Sequence, residues 1–417
     1  MASLPASLRA GAPAVDACHL GVCQTLLRYA EARAFHGYNK HDALNSPLLR
    51  ALALNNRWLR LVAIQAVTRA PVNLRPLLGV RRSVNAKGMS LFARTYLKLH
   101  EIGVAADDSG HAWLEKAHWC LDWLASHSQR HRGYSGHCWG YPYDWQDAGF
   151  FAPSDMPNCV VTCFAARAFM HAYDVTGDRA ALEVARSACD FLLRDLTVLH
   201  DSADMLALSY APVPMSWVVM DTSALAGALI ARVARATAEP VLRQQARRLL
   251  NYVLDKQTPY GAWFYSHPPG DSHITHDNYH TGFILDAILA YSDASGEQEP
   301  LAAYHRGLRF YAENLFLLNG APKWMHDRIW PHDVHGAAQG ILTFARAARF
   351  RRSYGQFART IADWALANLY DADGGRFYYQ QGKRWTKRFT LMRWCNAWMA
   401  WALAALMQLE AGGHDQP

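Results

Sequence analysis

The stretch HITHDNYHTG, residues 273–282, sets His273, His276 and His280 around Asp277 and Asn278. Imidazoles beside a carboxylate serve two kinds of chemistry, metal ligation and proton transfer. His276 and His280 have the i, i+4 spacing of a helical zinc pair, but Asp277 and Asn278 are residues that begin helices, so the helix only starts there. His273 lies further back in a Pro/Gly loop. Cys159 and Cys163 share the spacing, yet they sit in the apolar run VVTCFAARAF, where a thiol packs as a small hydrophobe. Neither a metal nor another cofactor is expected, and proton transfer is the chemistry to pursue.

The same arrangement recurs. Asp221, Asp277 and Asp333 each stand just before or at the start of a helical pattern, and His–Asp pairs occur at His276–Asp277, His326–Asp327 and His332–Asp333. An Asp in that place caps orphan backbone N–H groups and suits the helix dipole, but a cap needs no imidazole beside it. His280 and His335 fall within the first turn after an Asp, where they could share a cavity with the carboxylates and tune them or relay protons. Asp277 and Asp333 are the first choice for paired acid/base carboxylates, with Asp221 and Asp144 in reserve. Gln339, one turn after His335, reads as a packing hydrogen-bonder.

Aromatic residues crowd the long loops near these positions. HCWGYPYDWQ holds Trp139, Tyr141, Tyr143 and Trp145, and Trp263 and Trp324 repeat the theme further on. Flat rings with polar edges suit the apolar faces of sugars. Asn158, Asn278, Tyr279 and Trp394 stand at the same helix starts and complete a candidate sugar-binding set. Arg328 and Arg393 could hold a carboxylate in bidentate geometry, so an anionic sugar such as a uronic acid is the favoured ligand.

The elements that must position these residues form a repeat. Segments 113–127, 181–196, 241–257, 301–316 and 357–370 carry apolar residues at i, i+3, i+4 and i+7 with charges between them, as amphipathic helices do. Between them run more apolar, Ala/Gly/Ser-rich helices at 87–101, 158–178, 220–237, 278–297, 333–350 and 391–410. Small residues allow close packing, so these form an inner layer. Short turns link inner to following outer helices, and long aromatic loops return. The expectation is an all-α (α/α)6 toroid with its sixth outer helix within residues 47–69; an open α-solenoid is the alternative. Its long loops would gather at one end, around one cleft. The partition is an extension at 1–46, one toroid domain at 47–410 and a polar tail at 411–417.

Bulk composition narrows the function classes. With 417 residues, 51% apolar and only 18% charged, the chain is folded and not disordered. The net charge of +7 favours an anionic partner, but no zinc-finger spacing, aromatic sheet motif or long Lys/Arg run points to nucleic acid. The eight cysteines lie mostly in helical patterns and read as reduced thiols in the cytoplasm. The start lacks a signal-like apolar region, and no apolar run is long enough for a transmembrane helix.

WGYPYDWQ, DNYHTGFILDAI, GAPKWMHDRIWPHDVHGAAQ and RFTLMRWCNAWMAWAL resemble the six-hairpin proteins of bacterial polysaccharide metabolism. The chain is similar at fold level to unsaturated glucuronyl hydrolases and related glycosidases, lyases and epimerases, and more closely to a family associated with exopolysaccharide and capsule biosynthesis. The resemblance spans roughly residues 85–410. It implies a polysaccharide-modifying enzyme working by general acid/base chemistry, with a polysaccharide synthase or export component as partner; in the glucuronyl hydrolases an Asp is the implied acid and base. Hydrolysis, elimination and C5 epimerisation stay open, and so does a non-catalytic glycan-binding or assembly role. QTPYGAW (257–263) also fits the repeat of terpene cyclases, which likewise use α/α toroids, but their Asp-rich acid motif is missing.

Overall fold

The computed structural model of the chain describes residues 15–106, 110–147 and 149–412. Among the described residues there are fourteen α-helices, numbered in chain order: α1 Ala17–Glu31, α2 Pro47–Leu52, α3 Arg57–Arg69, α4 Ala86–Glu101, α5 Trp113–Ser126, α6 Cys159–Thr176, α7 Arg179–Arg194, α8 Met220–Thr237, α9 Pro240–Asp255, α10 Asn278–Ser295, α11 Pro300–Asn314, α12 Val334–Ala347, α13 Arg352–Leu369 and α14 Trp398–Glu410. Residues 1–14 of the expected extension and 413–417 of the expected tail lie outside the described residues.

Side-chain chemistry sets where the helices begin and end. Asn85, Asn158 and Asp333 precede α4, α6 and α12, and their side-chain oxygens accept from the backbone N–H groups of Gly88, Val161 and His335. Gly177, at φ 72°, closes α6 in the left-handed conformation that a glycine adopts without steric cost, and the chain turns directly into α7.

The helices α4, α6, α8, α10, α12 and α14 are buried along most of their length and form the inner ring. Glycines let these helices approach closely. A Cβ at Gly282 of α10 would come within 2.4 Å of the Gln339 side chain of α12, and one at Gly340 within 2.5 Å of the Phe316 ring. The outer helices α5, α7, α9, α11 and α13 each bury one face and expose the other. The fold is an (α/α)6 toroid, and one continuous apolar core runs around it.

The sixth outer helix is α1, which corrects the expectation that it would lie within residues 47–69. Leu26, Leu27 and Ala30 of α1 are fully buried, and Cys23 Sγ lies 3.6 Å from the Ala400 carbonyl of α14. Residues 47–69 form α2 and α3 instead, a small separate cluster in which Ile64 and Val67 pack with Ala43, Leu44 and Ala53. The periodicity of 57–69 was helical in either case; only the packing partner distinguishes a ring helix from a cover.

Short antiparallel pairs pin the long loops over the inner helix starts. Val218–Val219 pairs with Ser266–His267, and Gln380–Gln381 lies between His332–Asp333 and Thr386–Lys387. Before α14, residues Met392–Ala397 wind as a π-helix, a local widening that carries Arg393 and Trp394.

If α1 completes the ring, Leu26→Ala should destabilise the full chain by about 2–5 kcal/mol in urea unfolding, as other buried Leu truncations do. A cost within experimental error of zero would show that α1 is an appendage.

Candidate active site

Five inner helices and the π-helical turn that leads into the sixth deliver side chains to one cavity of about 920 Å³. Lys87 comes from α4, Val160 from α6, Asp221 from α8, Tyr279, His280 and Phe283 from α10, and His335 from α12, with Arg393 and Trp394 from the π-helical turn before α14. Long loops wall it with Tyr141, Trp145, Tyr210, Tyr265 and Trp324, and α3 contributes Leu61, Gln65, Thr68 and Arg69. Eight Lys and Arg line the cavity (Lys40, Arg69, Lys87, Arg328, Lys383, Arg384, Lys387 and Arg393) against Asp147, Asp221 and Asp271. That imbalance favours an anionic ligand.

His280 is held as an oriented imidazole. Its Nδ1 lies 2.7 Å from Asp277 Oδ2, while Tyr279 and Tyr265 flank the ring at centroid distances of 4.2 and 4.6 Å. Donation from Nδ1 to Asp277 leaves Nε2, which has no partner among the described residues, as the open nitrogen of a ring lining the cavity. Asp277 is 4% exposed and is absent from the cavity lining, so it works through His280.

Asp221 is the carboxyl group that reaches the cavity from the helix floor. It is 2% exposed, and its Oδ1 has no hydrogen-bond partner. Burial pushes its pKa up; the nearby charges of His280 and Lys87 pull the other way. Lys87 lies 3.9 Å from the Phe164 ring centre and 4.7 Å from that of Phe283, and burial drives its pKa well below the ordinary lysine value, reinforced by Arg393. Lys40 sits above Trp394 at 3.9 Å with Trp324 and Tyr279 further off, its pKa lowered to about 8 chiefly by burial. Arg393 stands between Tyr141 and Trp394, with its Nε unpartnered.

Asp333, an expected partner of Asp277, is fully engaged elsewhere. One oxygen accepts from the His335 backbone N–H and the Trp394 indole, both at 2.8 Å, and the other from Gln380 Nε2 at 2.6 Å. It therefore caps α12 and fixes two neighbours, without lining the cavity. Nor does it bond the His335 ring: both ring nitrogens lack partners, and the ring stacks on Tyr279 at 4.6 Å and meets Trp398 at 4.3 Å. Burial holds that imidazole neutral, far below its ordinary pKa.

Other expected site residues are structural. Asp144 pairs with Arg50 and accepts from the Ser154 N–H, away from the cavity. Trp139 and Trp263 are core residues whose indoles donate to the carbonyls of Leu124 and Val253 on outer helices. Asn158 caps α6, and Asn278 is tied to Leu315 and Tyr311. By contrast Tyr141, Trp145, Tyr279, Trp324, Arg328, Arg393 and Trp394 line the cavity. The histidines of the 273–282 stretch diverge, because His276 is held by the Trp263 carbonyl and the Tyr260 hydroxyl. Among the described residues no three His, Cys, Asp or Glu side chains gather as a metal site requires.

The expectations omitted Lys40, Tyr265 and Phe283. Lys40 carried a usable signal: it precedes His41–Asp42, another of the six His–Asp pairs in the sequence.

No family model matches the chain, and no curated protein matches it in sequence. Its structural likenesses are extensive. The unsaturated glucuronyl hydrolase of Bacillus sp. GL1 superposes with a TM-score of 0.62 over 94% of this chain and 96% of that one, at 12% identity. Cellobiose 2-epimerase from Bacillus thermoamylovorans gives 0.56 over 78% and 90% at 11% identity. An α-mannanase of Bacteroides thetaiotaomicron gives 0.57 over 79% and 87% at 15%. The chain has the six-hairpin glycosidase-like fold. In this fold, shared by hydrolases and epimerases of sugars, the inner helix starts of the present chain surround the cavity of about 920 Å³.

Burial of neutral His335 has a consequence for stability. Its folded pKa lies below the unfolded value of 6.5, so the unfolded chain binds the proton first and the contribution, complete above that value, is lost as pH falls. For this one site the slope is about 1.4 kcal/mol per pH unit below about pH 6.5. Urea unfolding near pH 7 and near pH 5.5 should therefore show a smaller acid-induced loss in His335→Phe than in the wild type. Equal losses would mean that the imidazole is accessible to protons when folded.

Proposed function

We propose that this chain is a polysaccharide-modifying enzyme of bacterial exopolysaccharide or capsule production, working in the cytoplasm on an acidic oligo- or polysaccharide. The observation that carries the reading is the pairing of Asp221, a buried carboxyl with an unpartnered oxygen, with His280, an imidazole oriented by Asp277, in one cation-rich cavity. This pairing replaces the Asp277/Asp333 carboxylate pair, since neither of those groups lines the cavity.

A carboxylic acid opposite an imidazole suits proton transfer at a carbon beside a carboxylate. His280 Nε2 takes the C5 proton of a uronic acid residue, and Arg393 balances the charge that moves onto the uronate carboxyl. Asp221, whose acid form burial favours, then returns a proton. Delivered to the opposite face of C5 it completes epimerisation; delivered to the O4 leaving group it completes elimination. Tyr141, Trp145, Trp324 and Trp394 provide ring surfaces for neighbouring sugars.

The test is incubation of purified protein with a panel of acidic exopolysaccharides and their oligosaccharides in deuterated water. Deuterium at C5 or an unsaturated product is expected, and Asp221→Asn and His280→Gln should each lower turnover by about 10²- to 10⁴-fold. New reducing ends without either signature would assign hydrolysis instead. Glycan binding without turnover, unchanged in both variants, would make the cavity a binding site for an assembly component.

Arg393→Gln should raise KM for acidic substrates more than for neutral analogues, because a charge-assisted contact to the uronate is removed. Equal effects on both would place Arg393 in support of the aromatic wall alone.

A further inference from the structure

The cover over the cavity mouth has an unusual surface. Eight of the seventeen exposed large apolar side chains among the described residues lie between residues 48 and 77. None of the six residues of α2 is buried. Leu52 is 62% exposed, Leu54 77%, Trp58 62%, Val62 64% and Leu77 83%. On α3, Trp58 and Val62 are one turn apart and share a stripe, while Ile64 and Val67 point into the small core below.

The same stretch is uniformly cationic. Residues 47–82 contain seven arginines and no Lys, Asp or Glu, a charge equal to the +7 of the whole chain. Arg75 is held inside by Asp42 at 2.7 Å and Arg50 reaches Asp144, but Arg57, Arg69, Arg81 and Arg82 are exposed. The neighbouring rim continues the pattern. Lys387 Nζ donates to the Thr68 carbonyl of α3 at 2.9 Å, and its hairpin carries Trp385, 57% exposed, beside Lys383 and Arg384.

Short helices exposing Trp and Leu among arginines, with no acidic residue, are what binds in the plane of a negatively charged bilayer: the apolar side chains enter the interface and the guanidinium groups meet phosphate headgroups. We propose that α2, α3 and the loop to Arg82 dock this protein on an anionic lipid surface. No helix of the described residues is long and apolar enough to cross a membrane, so the attachment is peripheral. Because α3 also lines the cavity, docking holds the cavity mouth beside the bilayer. On the functional reading above, the substrate class is then a glycan still attached to a lipid carrier.

Flotation of the full-length protein with phosphatidylcholine vesicles, with and without phosphatidylglycerol, tests this. Binding is expected only with the anionic lipid and should weaken in high salt. The triple variant Leu52→Ser/Trp58→Ser/Val62→Ser should bind about tenfold more weakly with an unchanged thermal melt, since all three side chains are exposed. Val241→Ser is the control. Val241 is 65% exposed but sits in the first turn of α9, at the end of the ring away from the inner helix starts. No binding to either vesicle, or equal binding by the triple variant, would overturn the proposal. So would a dimer in sedimentation that the triple variant dissociates, which would give the face to a second copy of the chain. Vesicle binding reads no turnover, so its failure leaves the glycan reading standing, and loss of turnover leaves the docking reading standing.

Discussion

The structure turns on one constraint: the first turns of six inner helices converge, and each brings polar groups that must be taken out of water together. Helix starts are where backbone N–H groups lack partners, so capping residues gather there, and their chemistry is forced into one small volume. Lys87, Asp221, Asp277, His335, Asp333 and Arg393 are each under 5% exposed. None of these groups could be buried alone cheaply, and each charge is tolerated because its neighbours are of the opposite sign or are aromatic rings. Desolvation raises Asp221 and lowers Lys87, so the same burial that costs stability disfavours the charged form of both groups.

Deeper in the ring, charged pairs join neighbouring inner helices. Asp286 of α10 bonds Arg346 and Gln339 of α12, Asp174 of α6 bonds Arg232 of α8, and Glu101 of α4 lies 3.1 Å from His171 of α6. Such pairs add little net stability over apolar contacts, but a one-turn slip would strand a charge in the core, so they define the register of the helices. Register is what keeps the first turns level with one another and the cavity floor intact.

The aromatic residues divide by the same geometry. Trp139 and Trp263 follow outer helices closely enough for their indoles to reach carbonyls of those helices, so they close the ends of the hairpins. Tyr141, Trp145 and Trp324 lie in longer excursions and reach the cavity. Two classes of tryptophan with similar loop contexts are thus placed differently, one sealing the core and the other lining the cavity.

Helical period, small-residue enrichment and the alternation of short and long connections are local properties, and from them the sequence by itself determined the two helix layers, the (α/α)6 ring and the gathering of the long loops at one end. It also determined that Asp, His and aromatic residues crowd the inner helix starts. Which of those residues face the cavity was decided by the tertiary structure. Asp333 and Asp277 look alike in the chain, yet one is consumed by Trp394 and Gln380, 61 and 47 residues away, and the other orients His280. Asp221 faces the cavity with no partner on its Oδ1, and a missing contact leaves no mark on local pattern. The role of α1 as the sixth outer helix has the same origin. An amphipathic period shows that a helix has a face to bury, but the surface that receives it comes from the other end of the chain.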